Sequence, residues 1–162
     1  MRLERLEATQ RPEKLKAVFD GETLTVSASL CVQFSLCAGM ELDEEAFSAL
    51  KAAVAKEAAR ERAVRILTAS AVSERELEKR LLQKGMLPSD AADAVAWLKE
   101  HRFLDDAATA AQLVDSAVRK GYGRARVKNI LYEKGIPKDR WDEALARIPA
   151  MDDAIDRFLA AQ

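Results

Sequence analysis

Phe103-Leu104-Asp105-Asp106, a helical run, then Arg119-Lys120-Gly121-Tyr122-Gly123-Arg124-Ala125-Arg126-Val127-Lys128 and finally Tyr132-Glu133-Lys134-Gly135 decide how this chain folds. The part from Gly123 to Gly135 has the layout of Ser73 to Gly85, an amphipathic helix closing on Lys-Gly, about fifty residues earlier. A repeat at that period marks stacked supersecondary units, because a helix of about ten residues cannot bury its apolar face alone.

Outward from the quoted stretch, each copy reads as three helices. In the first, Ser73-Glu74-Arg75-Glu76 is a capping box that satisfies two orphan amide donors reciprocally. Leu77, Leu81 and Leu82 form its buried stripe, and Gly85 is placed to end the helix in a left-handed turn. Pro88-Ser89 opens the next helix, with Ala91, Val95 and Leu98 on one face and Trp97 beside them. Phe103-Leu104 turns inward, and Asp105-Asp106 caps a helix whose apolar face is Ala110, Leu113 or Val114, and Ala117. In the second copy Val127, Ile130 and Leu131 are the stripe, Gly135 the C-cap and Pro137 the first residue of a helix burying Trp141, Ala144, Leu145 and Ile148. The predicted helices span 60–68, 73–84 and 89–100, then 106–119, 123–134 and 138–147.

The flanks are different. Residues 1–13 are polar and read as a loose lead-in. Leu15, Ala17 and Phe19 alternate with polar residues, Asp20-Gly21 is a hairpin turn, and Leu24 and Val26 continue beyond it. Ser27 or Ser29 starts a short helix through Phe34. Asp43 caps a long helix, or two joined by a kink near Lys56. At the other end, Met151 to Gln162 looks like the opening helix of a third copy. The predicted organisation is an N-terminal region over 1–43, a connecting helix over 44–59, three-helix repeats over 60–104 and 105–150, and one helix of a truncated third repeat over 151–162. The fold class is mainly α, with tandem three-helix-bundle repeats in an elongated curved body and a small N-terminal β-hairpin region.

Composition excludes several function classes. With 33% charged and 49% apolar residues, the chain suits a helical globular protein rather than a disordered one. A net charge of -1 argues against a protein that works mainly by coating nucleic acid. That total hides a gradient: residues 1–59 carry 7 basic and 10 acidic side chains, residues 60–150 carry 18 and 14. Cys31 and Cys37 have no partnering pair and read as reduced thiols. With no run of membrane-span length and no signal-peptide core at the N-terminus, the reading is a cytoplasmic protein without a membrane partner.

No catalytic or metal-binding set assembles, so the chain is read as a non-enzyme without a cofactor. His101 is the only histidine and stands near a helix end, where a surface or capping role suits it. Gly121-Tyr122-Gly123 lacks the remainder of a phosphate loop and follows no strand. Asp105-Asp106 are helix caps before they are metal ligands.

The basic segment is the one signal above background. Six positive residues stand between Arg119 and Lys134 (Arg119, Lys120, Arg124, Arg126, Lys128, Lys134) against Glu133 alone. Arg124, Lys128 and Tyr132 fall at i, i+4 and i+8, so they line one edge of a helix, where the first copy has Glu74, Glu78 and Leu82. A solvated face has no reason to reverse sign between copies; a surface for phosphates or acidic protein does. The candidate contact residues are Arg119, Lys120, Arg124, Arg126, Lys128 and Tyr132, with Arg75 and Lys79 on the matching helix of the first copy.

Phe103-Leu104-Asp105-Asp106, the following helix and Arg119-Lys-Gly-Tyr-Gly-Arg-Ala-Arg-Val127 resemble the signature of the bacterial regulatory RecX family. Ser73-Glu-Arg-Glu-Leu77 with Lys84-Gly85 is similar to the corresponding part of that family's first repeat, and the Asp20-Gly21 hairpin to the small strand region some members carry. The resemblance implies tandem three-helix repeats, a RecA filament as partner and restraint of its recombinase and ATPase activities, in homologous recombination, DNA repair and the SOS response. It implies no catalysis and no cofactor. Two departures stand out: Ala107-Ala-Thr-Ala110 replaces the family's Glu-Arg-Phe-Ala, and the third repeat is almost absent. Two further readings rest on the residues alone. One is a helix-turn-helix-like module binding single- or double-stranded DNA through the basic edge without RecA. The other is an adaptor using the apolar face of residues 151–162. The chain is read as a monomer.

Overall fold

The computed structural model describes residues 1–148 and divides into two compact units, one from Met1 to Ala59 and one beginning at Arg60. The expected helix over 151–162 lies outside the described residues.

The first unit is built on a three-stranded antiparallel sheet in the order β1-β2-β3, with β1 Leu3–Ala8, β2 Lys14–Phe19 and β3 Glu22–Ser27. The hairpin sits where its turn signal placed it: Phe19 pairs with Glu22, and Gly21 takes φ +83°. The loose lead-in expected over residues 1–13 is instead largely strand, pairing Leu3 with Phe19 and Ala8 with Leu15. Arg-Leu-Glu-Arg-Leu-Glu carries no period-2 alternation, so this strand is specified by its neighbours. One is β2. The other is the Gly39–Leu42 segment, where the Leu3 amide donates to Met40 O (2.9 Å) and the Leu42 amide to Met1 O (2.8 Å).

Ser27 caps the short helix α1, Ala28–Gln33, its hydroxyl accepting from the Leu30 amide at 3.0 Å. Asp43 caps α2, Glu44–Ala69, accepting from the Ala46 amide at 2.6 Å. Of the two alternatives for this stretch, the structure has one unbroken helix of 26 residues. Phe47 and Leu50 of α2 join Leu3, Ala17, Phe19, Val26, Leu36 and Leu42 in one apolar core, with the Phe19 and Phe47 rings edge-to-face at 4.9 Å.

The second unit contains the repeats. After the end of α2 come α3 Glu74–Gln83, α4 Pro88–Glu100, α5 Asp106–Arg119 and α6 Arg124–Glu133. Instead of one helix over 138–147, the chain makes a 3-10 turn, Lys138–Arg140, and a five-residue helix α7, Trp141–Leu145. Pro137 stays extended just outside this turn rather than opening a helix, and neither short element has a side-chain cap. Four helices of this unit end in the same way, as α1 does across the left-handed Ser35. The amides of Met86, Phe103, Tyr122 and Ile136 reach back to the carbonyls of Leu81, Leu98, Ala117 and Leu131 across a left-handed residue. That residue is Gly85, Gly121 and Gly135 in three cases and Arg102, at φ 61°, in the fourth.

Most of the expected stripe is buried: Leu77, Leu81, Ala91, Val95 and Leu98 in the first repeat, Ala110, Val114, Ala117, Val127, Leu131, Ala144, Leu145 and Ile148 in the second. Two expectations fail. Leu82 is 41% exposed, because it stands one residue past the Leu77–Leu81 seam. Phe103 is 66% exposed: after the left-handed Arg102 it is Leu104 that takes the buried place.

Candidate partner-binding surface

The two three-helix repeats share their junction. Ser73 caps α3, its hydroxyl accepting from the Glu76 amide at 3.1 Å while donating to the carbonyl of Lys134 at the end of α6. The adjacent aspartates of the second repeat divide their work. Asp105 caps its own helix, accepting from the Ala107 amide at 2.9 Å. Asp106, buried, accepts instead from the Glu74 amide at 2.9 Å and so caps a helix of the other repeat. The paired-cap expectation is therefore half corrected: spacing to Ala107 marked Asp105, whereas the partner of Asp106 lies 32 residues away. Burial pushes the Asp106 carboxyl above the ordinary aspartate range, although its bond from Glu74 pulls it back.

Where α3 meets the end of α6 they leave a groove of about 860 Å³. Arg75 and Lys79 line one wall, Tyr132, Lys134 and Lys138 the other, with Trp141 alongside. The Trp141 indole N–H donates to Ile136 O at 2.8 Å, which fixes the ring and leaves it partly buried. The junction bonds thus hold both walls in register.

The remaining candidate residues lie along α6. Val127 and Leu131 face the core, so Arg124, Lys128 and Tyr132 run along one flank, exposed, over about 12 Å of helix. Tyr132, 72% exposed, belongs to both the flank and the groove. Arg126 lies on the opposite flank. Its guanidinium sits 3.8 Å from the centroid of Tyr122, and the Lys120 ammonium is 6.0 Å from the same ring. Arg119, also exposed, ends α5 one turn from Asp115. The Asp115 carboxyl is held below the usual range, first by its hydrogen bonds from Arg147 at 2.9 and 2.7 Å and further by Arg119.

Seven of the eight candidates form two groups, and Arg119 stands apart beside Asp115. Arg75, Lys79, Tyr132, Lys128 and Arg124 define the groove and the flank leading from it. Lys120 and Arg126 gather on Tyr122 behind them. No ion pair among the described residues engages Arg75, Lys79, Arg124 or Lys128, whereas Arg80 of α3 is taken by Glu76 at 2.9 Å. Lys138 and Trp141 complete the groove but were not legible as site residues, since long-range contacts such as that of Ser73 with Lys134 bring that turn against α3. Among the described residues no group of three or more His, Cys, Asp or Glu could hold a metal ion, and no helix is long and apolar enough to cross a membrane.

Fold and surface together define a tandem three-helix-repeat protein with a small N-terminal sheet, which offers a basic helix flank leading into a groove whose lining mixes cations with Glu74, Glu76, Asp106 and Glu133. Residues 59–98 match the family model described as RecX, first three-helix domain, and residues 105–145 that described as RecX, second three-helix domain. The chain belongs to the RecX family. It is 36% identical over 96 residues to the regulatory protein RecX of Cronobacter sakazakii, a match covering 53% of this chain and 58% of that protein. To the RecX of Shigella dysenteriae serotype 1 it is 37% identical over 95 residues, covering 52% and 57%. The matches thus span little more than half the length of these relatives. A crystal structure of regulatory protein RecX superposes with a TM-score of 0.74 at 26% identity, over 91% of this chain and 73% of that one. RecX from Lactobacillus salivarius, at 18% identity and a TM-score of 0.57 over 59% and 63%, shares the fold.

Proposed function

We propose that this chain binds the RecA recombinase filament and restrains its recombinase and ATPase activities, using α6 and the groove beside it as the contact surface. The observation that carries this reading is the run of exposed basic side chains from Arg124 and Lys128 through Tyr132 to Arg75 and Lys79, held at the inter-repeat junction. A protein of net charge -1 that concentrates cations on one edge is suited to approach acidic protein and DNA phosphates together, without coating nucleic acid at large. The relatives are named regulatory proteins, which agrees with binding rather than catalysis.

The test follows ATP hydrolysis and filament lifetime of RecA on single-stranded DNA as the purified chain is added. Both should fall, and Arg124→Glu with Lys128→Glu should weaken the effect at least tenfold. No change at micromolar protein defeats the proposal. Tight duplex-DNA binding without RecA, with a log–log salt slope of about -0.9 per phosphate neutralised, would favour an independent nucleic-acid module instead.

A further inference from the structure

A second exposed feature lies in the first repeat, away from the basic flank of α6. At the end of α4 four planar groups follow one another. The Arg60 guanidinium, held by Asp93 at 2.9 and 3.2 Å, lies 5.2 Å from the Trp97 ring. Trp97 lies 5.0 Å from His101, whose ring is fixed by a 2.9 Å contact between Nδ1 and Trp97 O. His101 and Phe103 are parallel within 4°, with centroids 6.4 Å apart. The series ends on Phe103, 66% exposed.

Helix-end packing does not account for this Phe. The equivalent residue after each left-handed turn should cover the last helical turn. Ile136 does so at 4% exposure, and Met86 and Tyr122 are partly buried. Phe103 is the most exposed of the four. Among the repeat helices the left-handed residue before it also differs, being Arg102 where the other three ends have glycine. An L-residue there is strained, so the position retains a cation at a cost in backbone energy.

Arg102 and Phe103 form one side of a groove of about 380 Å³, whose other lining includes Thr68, Ser70 and Gln112. The carboxylate of Asp105, also in the lining, is engaged as the cap of α5. A flat apolar ring, neutral hydrogen-bonding groups in the groove and a cation beside it are the complement of one nucleotide. We propose that Phe103 is a stacking seat for one base of single-stranded nucleic acid, with Thr68, Ser70 and Gln112 facing the base edge and Arg102 the adjoining phosphate. Thr68 Oγ1 donates to Val64 O at 2.7 Å and keeps its acceptor lone pairs, Ser70 Oγ accepts from Arg80 at 3.3 Å and keeps its proton, and a duplex would keep its bases stacked away from Phe103.

The test measures binding of the full chain, without RecA, to labelled oligothymidine and oligouridine strands of about twenty nucleotides, and to an abasic strand of equal length, by fluorescence anisotropy. Phe103→Ala should weaken binding to a base-containing strand by about five- to a hundredfold and leave the abasic strand unchanged. Phe103→Trp should restore it. Arg102→Gly should weaken all strands that bind and lower the salt slope by about 0.7. The strand showing the Phe103 effect identifies the source as DNA or RNA. Equal affinity of wild type and Phe103→Ala for both base-containing strands, or equal losses on the abasic strand, overturns the proposal. So does a wild-type chain that binds neither base-containing strand.

Discussion

A Cβ placed on Gly135 would lie 3.2 Å from the Ser73 hydroxyl oxygen, so the end of α6 is pressed against the start of α3 closely enough that a methyl group would displace the hydroxyl by a few tenths of an ångström. Gly85, at the equivalent place in the first repeat, has nothing within 4 Å. Both glycines are left-handed, at φ 74° and 87°. The pair therefore separates backbone strain from junction packing. Gly85→Ala should cost about 1 kcal/mol, the strain alone. Gly135→Ala should cost about 2 kcal/mol, since the Ser73 hydroxyl, which caps α3 and donates to Lys134 O, must also shift. Urea unfolding of the two variants checks this, and equal losses would remove the junction from the account.

The same contrast shows what sequence could and could not reveal. Helix periodicity, the Ser73 cap and the Lys-Gly endings are local signals, and they placed α3 to α6 to within a residue or two. The Asp20-Gly21 hairpin was local as well. Strand β1 was not, because Leu3 and Leu6 are apolar positions without alternation, and the strand exists through pairing on both of its edges. Asp106 and Gly135 look like ordinary cap residues in sequence. Their second role, joining one repeat to the other, depends on partners 32 and some sixty residues distant. For the same reason the basic edge of α6 could be read from its spacing, whereas the groove could not: its walls come from helices that no periodicity relates.

Tyr122 is the hidden support of the surface. It carries no charge, yet Arg126 and Lys120 both rest on its ring. Replacing it by Leu removes the negative ring face while keeping an apolar side chain, and should release both cations. Partner affinity measured at low salt should fall about two- to fivefold, in line with the strength of exposed cation–π contacts. Tyr122→Phe keeps the ring and should match wild type. If Tyr122→Leu also matches, the two cations play no part in binding.

Arg102 offers a stability prediction independent of any ligand. Its φ of 61° is the left-handed conformation that Gly121 and Gly135 adopt without a Cβ. Arg102→Gly relieves that strain, and the greater freedom of the unfolded glycine offsets part of the gain. The net expectation is a rise of up to about 1 kcal/mol in unfolding free energy. A fall on this substitution would show that the Arg102 side chain contributes packing that the backbone strain conceals.

The buried carboxylate of Asp106 gives the junction a pH dependence of definite sign. Burial raises its pKa, the Glu74 amide lowers it, the Glu74 charge raises it, and Lys99 and Arg140 lower it, with the net shift upward. The folded protein therefore holds the Asp106 proton more tightly than the unfolded chain does. The stability linked to that proton is fully present below the ordinary aspartate range and is lost as pH rises through the higher folded value. Asp106→Asn keeps an oxygen to accept the Glu74 amide but cannot ionise, so it should escape this loss. The unfolding free energy of Asp106→Asn relative to wild type should rise across that window and level off above it. Asp106→Ala leaves the Glu74 amide without its acceptor and should cost about 1–3 kcal/mol at neutral pH. Urea midpoints over a pH series for the three proteins test both statements. A difference between Asn and wild type that stays constant, or that falls with rising pH, would show that Asp106 does not titrate as its burial requires.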